Sequence, residues 1–199
     1  MSPSSKATSQ TTSKGTLLLD DIESPIGRIA IAAREGRLCA LEFGRARLEQ
    51  QLAPRYGGAP RRRARDPFGI STRIRAYLAG DLAAVDHISV EAAGTVFQRR
   101  VWRALRRIPA GRTMTYGELA RALDHRAAAR AVGAANGRNP ISIVVPCHRL
   151  VGGDASLTGY GGGLWRKRWL LRHEGALQPT GSRGAGRYRP GPRADRADR

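Results

Sequence analysis

Cysteine is scarce in this chain, which has only Cys39 and Cys147 among its 199 residues. A single possible pair is no disulfide framework, so the sequence favours a reducing compartment. We therefore expect a cytoplasmic protein. The two cysteines and four scattered histidines show no metal-ligand spacing, so we expect no metal site.

Long hydrophobic runs are also missing. No apolar segment approaches the ~20 residues that span a membrane. The first residues are rich in Ser and Thr without an apolar segment, so we expect a disordered arm over 1–15 and not a secretory signal. The sequence therefore predicts no association with a membrane.

Acidic residues are outnumbered, with 16 Asp and Glu against 35 Lys and Arg, for a formal net charge of +19. Such an excess favours an anionic partner such as nucleic acid. Arginine supplies nearly all of it, and its planar fork suits phosphate contacts. A GC-rich genome also enriches arginine, so charge alone does not settle the partner.

The N-terminal part reads as a small β-rich domain over 16–90. Short apolar or alternating runs at Leu17–Ile22, 27–33 and Arg37–Phe43 predict a three-stranded antiparallel meander, with Cys39 packed and inert in the third. Helices are predicted at Arg45–Tyr56 and Ile70–Leu78, separated by a basic loop over 57–67. These residues suggest a structural role.

The C-terminal part, 91–178, reads as mostly helical. Phe97, Val101, Leu105 and Ile108 recur at helical spacing and Pro109 ends the helix, whose arginine face contacts either phosphate or solvent. A capping box at Thr115 starts a second helix. The Gly/Pro/Arg-rich tail, 179–199, is predicted to be disordered.

A turn at 124–126 and a further helix at 127–136 complete a helix-turn-helix pattern. That last helix is mostly alanine and glycine, with almost no side chain to read base edges. Small residues permit a close approach, which favours either the minor groove or packing against a neighbour. The predicted fold class is α/β of the α+β kind.

The most informative stretch ends in Cys147-His148-Arg149. Ile141–Val145 lies between two prolines, which predicts a buried, extended segment. A thiol attacks only as thiolate, so it needs a base or a positive charge nearby. Neighbouring side chains of an extended chain point apart, so His148 must be brought round by a turn or act through a water. The alternative is a buried, inert cysteine.

Beyond this stretch, Gly159–Gly163 predicts a loop around Tyr160, and Leu164–His173 predicts a helix followed by Glu174. A carboxylate at a helix C-terminus opposes the dipole, so Glu174 should be held for another reason.

Asn139-Pro140, Pro146-Cys147-His148-Arg149 and the Gly159-Tyr160-Gly161-Gly162-Gly163-Leu164 run together resemble the active-site signature of the O6-alkylguanine-DNA alkyltransferases. The resemblance is specific from about 95 to 175 and looser back to about 16. It implies a ribonuclease-H-like N-terminal domain and a helix-turn-helix that binds the minor groove.

The resemblance also implies a catalytic set. Cys147 attacks the alkyl carbon, His148 is its base through a water, and Glu174 orients the imidazole. Asn139 hydrogen-bonds around the active-site turn, and Tyr116 donates where the leaving group develops charge. The thioether product has no hydrolytic exit, so each molecule acts once, without cofactor or metal.

Residues for substrate and DNA follow from the same resemblance. Arg130 matches an arginine that fills the base stack after the damaged nucleotide is flipped out. Gly161 stands where other members carry a small side chain, which predicts a more open pocket that tolerates bulkier alkyl groups. The full predicted set for substrate and DNA is Ala129, Arg130, Gly133, Arg149, Tyr160 and Gly161.

The expected partner is double-stranded DNA with O6-alkylguanine, extending to O4-alkylthymine, bound by a monomer that can act cooperatively. The main alternative is a non-catalytic relative that binds alkylated DNA and recruits another repair pathway. A helix-turn-helix regulator and a cysteine hydrolase are further alternatives.

Overall fold

The computed structural model describes residues 15–123 and 129–177. The predicted arm (apart from Gly15), the turn at 124–126, the first residues of the helix predicted at 127–136, and the tail 179–199 lie outside the described residues. Within the described ranges, no helix has both the length and the apolar character needed to cross a membrane.

The N-terminal sheet has four strands, and across the sheet they lie in the order third, second, first and fourth along the chain. Its antiparallel strands are β1 (Leu17–Ile22), β2 (Ile29–Arg34) and β3 (Arg37–Phe43), which confirms the predicted meander. The second strand begins later than predicted because Gly27 turns the chain with a φ of 92°.

A fourth strand, β4 (Arg61–Arg63), pairs in parallel with β1. The prediction of a loop here was wrong. All three arginines are exposed at the sheet edge, so the sequence carries no apolar alternation. Backbone pairing holds the strand, together with ion pairs from Arg61 to Glu49 and from Arg63 to Asp21.

Both faces of the sheet are covered. Helix α1 (Arg45–Tyr56) packs Leu48, Leu52 and Tyr56 on one face, where Cys39 is buried. The opposite face joins a core shared with α2 (Ile70–Leu78) and the C-terminal part. Burial on both faces explains why β2 is apolar almost throughout.

The C-terminal part is mostly helical, as predicted. Its elements are α3 (Val96–Leu105), β5 (Met114–Thr115), α4 (Tyr116–Ala122), α5 (Ala129–Gly137), β6 (Leu150–Val151) and α6 (Leu164–His173). Capping boxes at Thr95 and Thr115 start α3 and α4. The first of these helices ends before the predicted Ile108, in a turn that precedes Pro109.

The segment Ile141–Val145 is not the extended strand that its flanking prolines predicted. Only Ile141 makes a bridge, to Leu41 of β3, and the rest turns, with Ile143 at a φ of 69°. The reason is Asn139, whose amide bonds the carbonyls of Ile141 and Val145 and closes the turn locally.

Candidate active site

Strand β3 positions the turn that carries Cys147. The Leu41 amide donates to the Pro140 carbonyl at 3.0 Å, and the Ser142 amide donates back to Leu41 at 2.9 Å. Inside the turn, Asn139 Oδ1 accepts from the Ile141 amide at 3.1 Å and Nδ2 donates to the Val145 carbonyl at 2.9 Å. Asn139 thus fixes the backbone on the N-terminal side of the thiol.

Cys147 begins a short 3-10 helix, Cys147–Arg149, and is only 5% exposed. Burial raises the pKa of its thiol to about 11, against the effects of Asn139 and Lys167, while the charge of Glu42 adds to the rise. The thiol is therefore neutral at rest, and the site must remove its proton during the reaction.

The 3-10 turn brings His148 into a buried pair with Glu174, with 3.0 Å between Nε2 and Oε1. Burial lowers the pKa of His148, so we assign a neutral ring whose Nε2–H donates to the carboxylate. Its Nδ1 is buried and has no hydrogen-bond partner among the described residues. That lone pair is available as a base.

Glu174 caps the end of α6 and is held by three residues. Arg149 donates Nη2 to Oε1 at 2.7 Å and Nε to Oε2 at 2.9 Å, and the Tyr77 hydroxyl donates to Oε1 at 2.7 Å. Burial opposes ionisation, but His148 and Arg149 outweigh it and hold the pKa of Glu174 well below its usual value. These contacts explain a carboxylate at this helix end.

Arg149 differs from its expected role at the substrate or DNA. It is 4% exposed, and its guanidinium donates to both Glu174 oxygens and to the Ile108 carbonyl. A buried carboxylate needs this compensation. The sequence could not show it, because Glu174 and Ile108 are remote along the chain.

Two tyrosines lie near the thiol, and each has a raised pKa to which burial contributes most and Cys147 second. The Tyr116 hydroxyl makes long contacts with the carbonyls of Thr158 and Gly159, at 3.5 and 3.4 Å. The Tyr160 ring packs against Phe43, and its hydroxyl is buried without a partner in the described structure. Both tyrosines therefore interact electrostatically with the thiol.

Lys167 is a site residue that the sequence analysis missed. It is fully buried, and its Nζ donates to the Thr158 carbonyl at 2.7 Å. Burial lowers its pKa to about 8, while Cys147 acts in the opposite direction. One signal was present: this arginine-rich chain has no other lysine after residue 14.

The expected DNA-facing residues lie on α5. Ala129 and Arg130 are exposed, and Gly133 is half-buried beside the Tyr116 ring. Asn136, which the sequence analysis also missed, is buried on this helix and its Nδ2 lies 3.5 Å from the Cys147 carbonyl. One helix therefore carries an exposed surface and a contact to the reactive segment.

Gly161 is exposed in the loop after Thr158. A Cβ built there would lie 2.9 Å from Nη2 of Arg47, a residue of α1. Gly161 was predicted to leave extra space in the pocket. The Arg47 guanidinium, from the N-terminal part, borders that space.

A cavity of about 590 Å³ lies behind the active-site turn, between Val85 and α3. Its lining includes Ile143, Val144 and Arg149 but not Cys147. The cavity is therefore separate from the surroundings of the Cys147 thiol. Within the described ranges, no cluster of three His, Cys, Asp or Glu residues could hold a metal ion.

Comparisons with known proteins agree with this geometry. Residues 18–92 match the family model described as 6-O-methylguanine DNA methyltransferase, ribonuclease-like domain. Residues 96–176 match the DNA binding domain of the same family. The two models together cover most of the chain.

Curated relatives are similar along nearly their whole length. The chain is 51% identical over 166 residues to the methylated-DNA–protein-cysteine methyltransferase of Salmonella typhimurium, covering 81% of this chain and 97% of the relative. The Mycolicibacterium paratuberculosis protein of the same name is 46% identical over 160 residues, covering 80% and 93%.

Solved structures are similar as well. The O6-methylguanine methyltransferase of Mycobacterium tuberculosis matches with a TM-score of 0.66 and 40% identity, covering 83% of this chain and 96% of that one. A structure of that organism's protein in complex with DNA matches with the same TM-score and coverage and 38% identity. The buried Cys147, its imidazole neighbour and these matches lead to one conclusion: the chain belongs to the 6-O-methylguanine DNA methyltransferase family.

Proposed function

We propose that this protein repairs double-stranded DNA by moving the alkyl group of O6-alkylguanine onto Cys147, once per molecule. The observation that carries the proposal is the arrangement around the sulfur. A neutral imidazole with an unpartnered buried Nδ1 follows Cys147 directly and is held by an ionised Glu174. This is the nucleophile, base and orienting group that an activated cysteine requires.

The substrate must first leave the duplex, since the thiol is buried in the protein and the lesion in the base stack. Flipping a nucleotide costs a few kcal/mol of unstacking. Arg130, exposed on α5, is proposed to fill the gap, because a planar guanidinium can stack and hydrogen-bond at once. Ala129 and Gly133 are proposed to allow α5 to approach the minor groove closely.

The transfer step is a displacement at carbon. The bond from sulfur to the alkyl carbon forms as the bond from that carbon to O6 breaks, and the electron pair stays on guanine. The thiol proton passes to His148 through a water, and a proton from Tyr116 neutralises the charge that develops on guanine. The proton held by His148 then returns through water to the Tyr116 phenolate, so both side chains end neutral. The net products are neutral guanine and an S-alkyl cysteine.

Lys167 is proposed to stabilise the thiolate. Its buried ammonium is electrostatically coupled to Cys147 and donates only to the Thr158 carbonyl among the described residues. A positive charge in a water-poor site favours the anionic form of a neighbouring thiol. Tyr160, with its free hydroxyl, and the Gly159–Gly163 loop are proposed to bind the base.

Several finer assignments belong to the same proposal. The division at residues 90/91 into a β-rich structural domain and a DNA-binding domain, and a helix-turn-helix formed by α4 and α5, fit the described helices. A bacterial cytoplasmic location fits two unpaired cysteines and bacterial relatives. Action on O4-alkylthymine, a monomeric state and cooperative binding remain predictions.

The alternative, a non-catalytic relative that binds alkylated DNA, is not favoured. Such a protein has no use for a thiol backed by a base, a carboxylate and a buried lysine, since buried charges are costly to keep. The comparisons also match relatives that are named as methyltransferases along nearly their full length.

The test is transfer of label. The protein is incubated with a duplex that carries O6-methylguanine with a radioactive methyl group. We expect label on the wild type and on Cys39→Ala, and none on Cys147→Ala. Label that stays on DNA with the wild type, or a Cys147→Ala variant that takes up label, contradicts the proposal.

A further inference from the structure

The N-terminal part reaches the reaction centre through β3. Leu41 bonds the active-site segment on both sides, at Pro140 and Ser142, so the next residue, Glu42, lies alongside that segment. The Glu42 side chain is 3% exposed. Its only ion pair among the described residues is with Arg47 Nε, at 3.4 Å.

Arg47 links the buried Glu42 carboxylate to the Gly159–Gly163 loop. It lies in the first turn of α1, and its Nη2 is 2.9 Å from the position of a Cβ on Gly161. The next residue of the loop is equally constrained, because a Cβ on Gly162 would lie 2.6 Å from the Phe43 ring. Arg166 adds a clamp, donating to the Gly162 carbonyl at 2.7 Å and to the Ile26 carbonyl at 2.8 Å.

The same pair acts on the thiol electrostatically. Burial raises the pKa of Glu42, while Arg47 opposes this. The charge of Glu42 in turn contributes to the raised pKa values of Cys147 and Tyr160. The titratable or charged groups near Cys147 are Glu42 from β3, Lys167 from α6, Tyr116 from α4, Tyr160 from the loop and His148 beside it; those near Glu42 are Arg47, Arg55, Cys147 and Tyr160.

We propose that the Glu42–Arg47 pair determines which alkyl groups the site accepts. Arg47 is the wall beside Gly161 that limits the size of the alkyl group, and Glu42 is the positioning residue that holds the guanidinium there. This inference rests on the function proposed above and gives the N-terminal part a role in selectivity. The space that Gly161 leaves in the pocket then depends on the position of Arg47. The Arg47 side chain is 43% exposed.

The first test compares alkyl groups. Transfer rates are measured on duplexes with O6-methylguanine and O6-benzylguanine, for the wild type, Arg47→Ala and a matched control, Arg45→Ala. Arg45 is also in the first turn of α1 but pairs with Asp21. Removing a steric wall in a pocket changes selectivity by about tenfold or more. We expect the benzyl-to-methyl ratio to rise by about that factor in Arg47→Ala and to stay unchanged in Arg45→Ala.

Arg47→Lys tests the wall without removing the ion pair. A lysine keeps the charge next to Glu42 but lacks the planar fork that reaches Gly161. We expect a ratio between those of the wild type and Arg47→Ala. Equal ratios in Arg47→Ala, Arg47→Lys and Arg45→Ala overturn the proposal.

The second test uses Glu42→Gln, with Glu91→Gln as control, because Glu91 is a half-buried carboxylate paired to Arg34 on the Cys39 side of the sheet. Alkylation of Cys147 by iodoacetamide at pH 8 is followed by peptide mass spectrometry and needs no DNA. We expect alkylation of Cys147 to be several-fold faster in Glu42→Gln than in the wild type and Glu91→Gln. We also expect the benzyl-to-methyl ratio to rise in Glu42→Gln, because Arg47 loses its ion pair. No change in either quantity overturns the proposal. If iodoacetamide alkylates Cys147 of the wild type but the wild type accepts no alkyl group from DNA, the proposed function is refuted instead.

Discussion

Lys167 illustrates how a single residue can favour chemistry at the expense of stability. Its ammonium is fully buried without a carboxylate partner among the described contacts, and burial lowers its pKa to about 8. A buried cation with one carbonyl acceptor costs folding free energy, whereas beside Cys147 it favours the thiolate. Its two effects should therefore separate on substitution.

We predict that Lys167→Met raises the free energy of unfolding by about 1–3 kcal/mol at pH 7. The same variant should transfer methyl groups about ten- to a hundredfold more slowly, as when one stabilising charge is removed. Urea unfolding and single-turnover rates measure the two quantities. Arg168→Met, at an exposed position of the same helix, is the control and should change neither.

The pH dependence of stability follows the same residue. The folded pKa of Lys167 is about 8, below its unfolded value, so the unfolded chain binds more protons between pH 8 and about 10. Stability from this group therefore rises with pH across that window. In Lys167→Met this rise should be absent in urea melts at pH 8 and 10, and a wild type without it contradicts the lowered pKa.

Glu174 differs from Lys167 because its charged form stabilises the folded state, although stability again rises with pH. Its folded pKa is lowered, so its contribution to stability is complete above the unfolded value and is lost as pH falls. Glu174→Gln leaves the buried Arg149 without a carboxylate, which should cost about 3–5 kcal/mol. The variant should also lose less stability than the wild type between pH 5 and 3. Equal acid sensitivity in urea melts is the contrary result.

At the scale of elements, the active-site turn depends on one side chain. Asn139 makes three hydrogen bonds that hold Ile141 and Val145, and Ile143 keeps a φ of 69° that a β-branched residue rarely adopts. The turn is therefore strained and stays closed because the asparagine overcomes the strain.

We predict that Asn139→Ala destabilises the protein by about 1–3 kcal/mol, since it leaves buried backbone groups unpaired. Asn139→Asp keeps the acceptor for the Ile141 amide but turns a buried carboxylate oxygen toward two carbonyl oxygens, so it should be at least as destabilising as alanine in urea melts. Iodoacetamide should reach Cys147 faster in both variants. A wild-type melting curve for Asn139→Ala shows that the turn does not need this side chain.

Element bounds were largely readable from the sequence. Apolar residues alternate in β1 and β3 and recur at helical spacing in α2, because one face of each element is buried. Burial of one face produces a periodic pattern of apolar residues in the sequence. Strand β4 has no such pattern, because its three arginines are exposed and it is paired through its backbone. The turn at 141–145 was missed because one buried asparagine outweighs the two flanking prolines and the β-branched run.

The candidate site was partly readable for the same reason. Cys147, His148 and Asn139 lie within one short stretch whose pattern is distinctive. Glu42, Arg47, Tyr77 and Lys167 reach the site from other elements, and their contacts arise only when the chain folds. Arg149 was assigned to substrate or DNA binding because a sequence does not show that its partner is Glu174.

The surface of α5 should act on duplex DNA and not on the chemistry itself. We predict that Arg130→Ala slows transfer from an O6-methylguanine duplex about tenfold or more, because the vacated stack is left unfilled. Reaction with free O6-benzylguanine base should be unchanged. Arg37→Ala, exposed on β3, is the control, and an equal loss on the free base refutes the assignment.

At the scale of the whole molecule, the chain joins a strongly basic exterior to a buried reaction centre. A net charge of +19 attracts any duplex, and binding to phosphates carries no information about the lesion. Selectivity must then reside in the interior, where the N-terminal sheet, the active-site turn and α6 meet around Cys147. Strand β3 couples the two parts through its backbone bonds to Pro140 and Ser142.

Cys147 is proposed to accept one alkyl group and to keep it. The most direct measurement titrates a fixed amount of protein with a growing excess of O6-methylguanine duplex, then counts repaired guanines and maps the methyl group by peptide mass spectrometry. We expect a plateau at one repaired guanine per protein, with the methyl group on Cys147. Continued repair beyond that point, or a plateau with Cys147 unmodified, contradicts it.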